Sequence, residues 1–206
     1  MKLLKLISMV PEKLSGFRHF MHQLVPISDA VWADISQHIT IREMKKKELF
    51  ITEGKTCREI AFINKGSFRY YQTVDGREMS TFFSFENNCV SAYNSFVSQK
   101  PSVVSIEAME DAEIAVISFD ALQQLYQQHT CIERFGRLVA EYIISCLEER
   151  LYAMLLSTPE ERYARVASDR NIHINRIPQH YVASYLGITP ESLSRIRKRR
   201  MHKNVS

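Results

Sequence analysis

Pro190, Glu191, Ser194, Arg195 and Lys198 fall at i, i+1, i+4, i+5 and i+8, which places them on one face of a helix. An arginine can pair bidentately with a guanine edge, and a glutamate can accept from the amino group of cytosine. Glu191 and Arg195, one turn apart on an exposed face, therefore have the chemistry to read base edges in a major groove. Arg197, Arg199, Arg200 and Lys203 follow with no acid among them. Such a run suits phosphate oxygens, which set affinity and salt dependence but carry no base information.

That face is useful only if its helix stands proud of the body behind a sharp turn. The segment Pro178–Arg197 has the residues this requires. Val182 and Leu186 form the inner face of a first helix, and Ala183 is small where two helices would cross. Gly187 permits a left-handed turn. Ile188 plugs the corner, Leu193 and Ile196 anchor the second helix, Thr189 caps it and Pro190 takes its first position. A helix-turn-helix is predicted in place of an ordinary helical hairpin. The candidate DNA contacts are Thr189, Pro190, Glu191, Ser192, Ser194, Arg195, Arg197, Lys198 and Arg199.

Other chemistry is sparse. Cys57, Cys89, Cys131 and Cys146 form no CxxC pair and read as buried thiols of a reducing compartment. His19, His22, His38 and His129 are scattered and read as surface or capping residues. No nucleophile elbow, phosphate loop or metal-ligand pair is present, and Glu148-Glu149 reads as a solvated helix face. No enzyme activity, metal or cofactor is expected.

The elements that must position the basic helix follow from charge and periodicity. Residues 158–206 hold ten Lys and Arg against four Asp and Glu, while residues 1–157 hold seventeen against nineteen. A basic unit on a slightly acidic body suggests a polyanion partner at one end. A 45% hydrophobic share with 24% charge is that of a folded globular chain. Met1–Ile7 imitates the opening of a signal peptide. However, Lys5 and Ser8 interrupt it, no small-residue cleavage site follows, and Pro11-Glu12-Lys13 ends it. No stretch is long enough to span a bilayer, so a cytoplasmic location is expected.

Residues 12–37 have helical spacing broken at Pro26. From Ile39 to Ser118 short β-type runs alternate with turns, among them 60–63, 67–74, 77–83, 103–106 and 112–117. Asp75-Gly76 marks a hairpin, because a type I′ turn needs positive φ at both central residues. An antiparallel sandwich or barrel is implied. Between Cys131 and Leu156 the period is helical, and Ile132, Phe135, Val139, Tyr142 and Cys146 step by 3, 4, 3 and 4 as a heptad seam. Leu138, Ile143, Leu147 and Leu151 widen the apolar surface beyond one contact. A twin helix on one face and the chain's own body on another would use it, so the five-residue seam is assigned to dimerisation. Thr158, Pro159 and Glu161 form a capping box that opens the next helix.

In this order of elements the chain resembles the Crp/Fnr family of bacterial transcription regulators over residues 15–203. Phe62-Ile63-Asn64-Lys65-Gly66 and Gly76-Arg77-Glu78 resemble its sensor landmarks, and Glu191-Ser192-Leu193-Ser194-Arg195 resembles its recognition-helix core. The resemblance implies an α+β chain. Residues 1–130 would be an antiparallel β-roll (jelly-roll) sensor related to cyclic-nucleotide-binding domains, 131–157 a dimerisation helix and 158–206 a helix-turn-helix domain. It implies a homodimer on double-stranded DNA at a near-palindromic site, with RNA polymerase as a further partner.

The chain also departs from the family. Where nucleotide-binding members carry Gly-Glu for the ribose and Arg-Ser/Thr for the cyclic phosphate, this sequence has Ser91-Ala92 and Ser102-Val103. No arginine lies between Arg77 and Arg134. A buried phosphate would lack a counter-charge. The expected effector is therefore something other than cyclic AMP, or none. Its pocket would be Ser91, Ala92, Tyr93, Asn94, Ser102 and Val103, with Tyr70, Tyr71, Phe82 and Phe83 as walls unless these rings are simply core. The six residues Met201–Ser206 leave no room for the family's wing. The competing reading is a small-molecule sensor whose helix-turn-helix no longer binds DNA.

Overall fold

The computed structural model describes residues 13–203, so the reading of Met1–Ile7 lies outside the described residues. Two helices open the chain, α1 (Ser15–Leu24) and α2 (Asp29–Gln37), parted at Pro26. The Ser28 hydroxyl caps the second by accepting from the Val31 amide at 3.3 Å.

Eight strands follow: β1 (Ile39–Met44), β2 (Leu49–Ile51), β3 (Glu59–Lys65), β4 (Phe68–Val74), β5 (Arg77–Ser84), β6 (Cys89–Val90), β7 (Ser105–Ala108) and β8 (Ala112–Ser118). They form two four-stranded antiparallel sheets, ordered β1-β8-β3-β6 and β2-β7-β4-β5. The β4–β5 hairpin closes at Asp75-Gly76 with φ of 50° and 73°, the conformation expected of a type I′ turn. At Gly66 (φ +100°) a Cβ would lie 2.6 Å from that of Ala112, so only glycine fits where the chain enters β4. Ile63, Phe68, Val90, Ile106 and Ile114 fill the space between the sheets. Of the strand runs read from sequence, 103–106 is displaced: Val103 is exposed in a loop and β7 begins at Ser105.

A short helix, α3 (Tyr93–Ser98), bridges β6 and β7; α4 (Phe119–Gln128) and α5 (Thr130–Leu156) leave the roll. Leu14, Phe17, Met21, Ile35 and Phe62 meet Leu125, Ile132, Phe135 and Val139 in a second core. This corrects three residues of the expected dimer seam: Ile132, Phe135 and Val139 are buried against the chain's own body, whereas Tyr142 is exposed and Cys146 half-buried beside a cavity of the roll. The exposed stripe is Ile144, Leu147, Leu151 and Leu155. At 100° per residue it lies roughly 140° around the helix from the buried one. The 3-4-3-4 step is real, and its first three residues arise from packing within the chain.

Thr158 opens α6 (Pro159–Ser168) with the expected capping box: its hydroxyl accepts from Glu161 N at 3.3 Å, and the Glu161 carboxylate accepts from Thr158 N at 2.7 Å. Helices α7 (Gln179–Tyr185) and α8 (Pro190–Lys203) complete the described chain. Among the described residues no helix is long and apolar enough to cross a membrane.

Candidate nucleic-acid interface and effector cavity

Helix α7 and helix α8 meet through Leu186–Thr189. Val182, Ala183, Leu186, Leu193 and Ile196 are buried, and Gly187 takes φ +67°. The Ile188 amide donates to Ala183 O at 3.0 Å, and Ser192 N donates to the Thr189 hydroxyl at 3.3 Å. Each position singled out in the sequence thus has the local role its residue type suggested.

The outer face of α8 carries Pro190, Glu191, Ser194, Arg195 and Lys198, all exposed. Hydrogen bonds from the helix's own first turn and Thr189, together with the Arg195 charge, hold the Glu191 carboxyl below its ordinary range, so it stays an acceptor. Arg195 donates to the Ser192 hydroxyl at 3.2 Å, which turns its guanidinium along the open face. Not every basic residue of the run is free. Arg199 pairs with Glu160 at 3.1 Å, and Arg200 lies over the Tyr163 ring at 5.8 Å with one nitrogen buried. Both are turned toward α6, so of the basic run expected to meet phosphate Arg200 is set apart and Arg199 is held by Glu160.

One feature of the helix-turn-helix was not read from the sequence. Its first helix docks on the roll. Ser80 N donates to the Ser184 hydroxyl at 2.9 Å, and that hydroxyl donates to Glu78 O at 3.2 Å. Phe83 packs on Tyr185 with ring centres 5.3 Å apart. Arg176 donates to Glu86 at 2.7 and 2.8 Å and also meets Glu110. Arg69, 1% exposed, bonds Glu78, Ser80 and Glu107 and lies under Tyr181. A fully buried arginine is the exception, and here it marks a second layer over β4.

The six residues predicted to form an effector pocket converge on one cavity of about 460 Å³ between the roll and α5. Ser91, Ala92 and Ser102 are buried in its wall, Tyr93 is half-buried, and Asn94 and Val103 stand at the rim. Tyr70 and Phe82 line it too. Tyr71 and Phe83, their neighbours in sequence, face the other side of the sheet, as strand alternation requires; Tyr71 lies by Arg69, and they are not cavity walls. Burial pushes the Tyr70 hydroxyl up to about 12, so it is neutral. It lies 3.2 Å from Ser84 Oγ and accepts from Ser91 N at 3.3 Å. From α5 come Leu138, Tyr142, Ile143, Cys146 and Leu147. Among the described residues no group of three or more His, Cys, Asp or Glu stands together as a metal site.

Two four-stranded antiparallel sheets, a long helix and a pair of helices joined by a tight turn follow in that order. Residues 41–129 match the family described as the cyclic nucleotide-binding domain. A structure of FixK2 from Bradyrhizobium japonicum is similar, with 17% identity, TM-score 0.71, and coverage of 81% of this chain and 86% of that one. The c-di-GMP responsive regulator CLP from Xanthomonas campestris matches at 15% identity and TM-score 0.65, over 86% and 93% of the two chains. A putative Crp/Fnr regulator from Eubacterium rectale matches at 16% identity and TM-score 0.65, over 86% and 85%. No curated protein matches the chain. Residues 41–129 thus match a cyclic nucleotide-binding domain, and the chain shares the fold of these solved regulators.

Proposed function

We propose that this protein is a homodimeric transcriptional regulator of the Crp/Fnr type that reads a near-palindromic DNA site with the helix 189–200. In this reading residues 1–130 sense, 131–157 dimerise and 158–206 bind DNA. The observation that carries it is the division of α8. Leu193 and Ile196 are buried, while Glu191, Ser194, Arg195 and Lys198 are open to solvent. Glu191 and Arg195 stand one turn apart on that free face, with Lys198 beyond them.

The exposed stripe Ile144, Leu147, Leu151 and Leu155 supports pairing with a second copy. Two recognition helices about 34 Å apart would then meet successive major grooves. The decisive experiment is selection of genomic DNA fragments by the purified protein. Enrichment of a motif with inverted half-sites about one helical turn apart is expected. Recovery of fragments without a shared motif would sink the proposal.

A further inference from the structure

We infer that the cavity between the roll and α5 holds an uncharged, largely apolar small molecule, not a nucleotide or any other phosphate. The inference rests on reading this chain as a regulator with a sensing cavity, and it adds the chemical class of the ligand. At about 460 Å³ the cavity lies within the range of small-molecule sites.

Its lining contains no Asp, Glu, Lys, Arg or His. Arg69 and Lys100 both stand outside the lining. Arg69 is buried on the opposite face of β4 under Tyr181, and Lys100 is exposed. A phosphate or carboxylate taken into this space would lose its water and gain no counter-charge.

The polar side chains in the wall are also spent. Ser91 donates to Glu59 O at 3.0 Å and Ser95 to Lys100 O at 2.5 Å. Ser102 donates to Val104 O at 2.7 Å while accepting from Val104 N at 3.1 Å. Thr81 donates to Tyr70 O at 3.3 Å. What remains is neutral: Tyr93 and Asn94 at the rim, the Asn88 amide, and Tyr142 and Cys146 from α5, enough for a few hydrogen bonds at an end of the ligand. Phe82, Val104, Leu138, Ile143 and Leu147 supply the rest as hydrocarbon. A ligand matched to these walls is an apolar body with at most a neutral polar tip.

The test uses the full chain and N-phenyl-1-naphthylamine, an uncharged apolar fluorophore, displaced by 1-decanol, decanoate, cyclic AMP or cyclic GMP. Saturable binding is expected, with decanol displacing the probe about tenfold better than decanoate and the cyclic nucleotides not displacing it at millimolar levels. Ala92→Phe fills the cavity and should abolish binding. Val103→Arg, at the exposed rim, should bring decanoate level with decanol without threatening the fold.

Neither residue touches the second apolar cavity, of about 510 Å³, beneath α1 and α5. Binding unchanged in both variants would therefore assign the probe elsewhere and overturn the inference. So would absence of saturable binding, equal displacement by decanol and decanoate in the unmodified protein, or displacement by a cyclic nucleotide. The fragment selection above is run on the same preparation. Failure of DNA selection with the probe behaviour intact removes the regulator reading alone, and the reverse pattern removes only the ligand class.

Discussion

The guanidinium carbon of Arg69 lies 3.6 Å from the centre of the Tyr181 ring. A buried cation of the roll is thus capped by an aromatic of the helix-turn-helix. The Tyr181 hydroxyl accepts from Lys47 at 2.6 Å and donates to Glu107 at 3.2 Å, and Glu107 in turn meets Arg69 at 3.2 Å. Four residues from four distant stretches form one network. Breaking a buried network by removing a single partner is costly, because the others are left desolvated.

Tyr181→Ala should therefore destabilise the protein by about 3–5 kcal/mol, the range for deleting a buried aromatic. Tyr181→Phe keeps the ring over Arg69 and should cost about 1–2 kcal/mol for the lost hydroxyl bonds. Calorimetry distinguishes a stronger consequence. With the cap removed, the roll and the helix-turn-helix should melt in separate steps. A single transition at the unmodified midpoint for Tyr181→Ala would show that the contact does not couple them.

Acid should loosen the same junction. Burial raises the Glu86 carboxyl, but the Arg176 guanidinium and the Gly66 amide outweigh it and bring it down to about 2 from 4.5. A depressed folded pKa stabilises the protein above about pH 4.5, and the contribution fades as pH falls from there toward 2. Urea midpoints measured across that window should drop more steeply for the unmodified protein than for Glu86→Gln. The variant, lacking the charge, should be less stable at neutral pH and converge with the parent near pH 2. Parallel curves would show that Glu86 does not carry the acid limb.

The division between what could be read in advance and what could not follows the range of the interactions. Gly187, Thr189 and Pro190 act on their own few residues, so the helix-turn-helix was visible in composition and spacing; Asp75-Gly76 did the same for the hairpin. The effector cavity was reached through the family resemblance, since Ser91 and Ser102 lie on separate loops and have no distinctive chemistry. The Arg69–Glu107–Tyr181 network joins residues too distant in the chain for any local pattern to report. On α5 the pattern was visible but ambiguous. Two apolar stripes share the helix, and spacing alone does not say which one meets the body.

Exposure separates those stripes, which gives the proposed dimer a test in solution. Leu151, 53% exposed, belongs to the open stripe, whereas Ile132 is 1% exposed. Leu151→Glu should leave the monomer fold within about 0.5 kcal/mol of the parent and convert a dimer to a monomer in sedimentation equilibrium. Ile132→Ala should cost about 2–5 kcal/mol in stability while the oligomeric state of the folded fraction persists. If Leu151→Glu still sediments as a dimer, the pairing surface lies elsewhere.

The proposed DNA-reading role of α8 separates base reading from phosphate contact. Arg195→Ala removes a group able to pair with one base, so binding to the selected site should weaken by about 1–3 kcal/mol and tolerance should rise at that position alone. Arg197 is set off the base-reading face and should act through charge. Its replacement by alanine should weaken all sequences alike and lower the slope of log affinity against log salt by about 0.9. Arg199 is already paired with Glu160, so Arg199→Ala should change that slope by less. Titrations at several salt concentrations on cognate and scrambled duplexes report all three. A uniform loss for Arg195→Ala, with no position relaxed, would mean that the arginine touches phosphate and that sequence is read from another face.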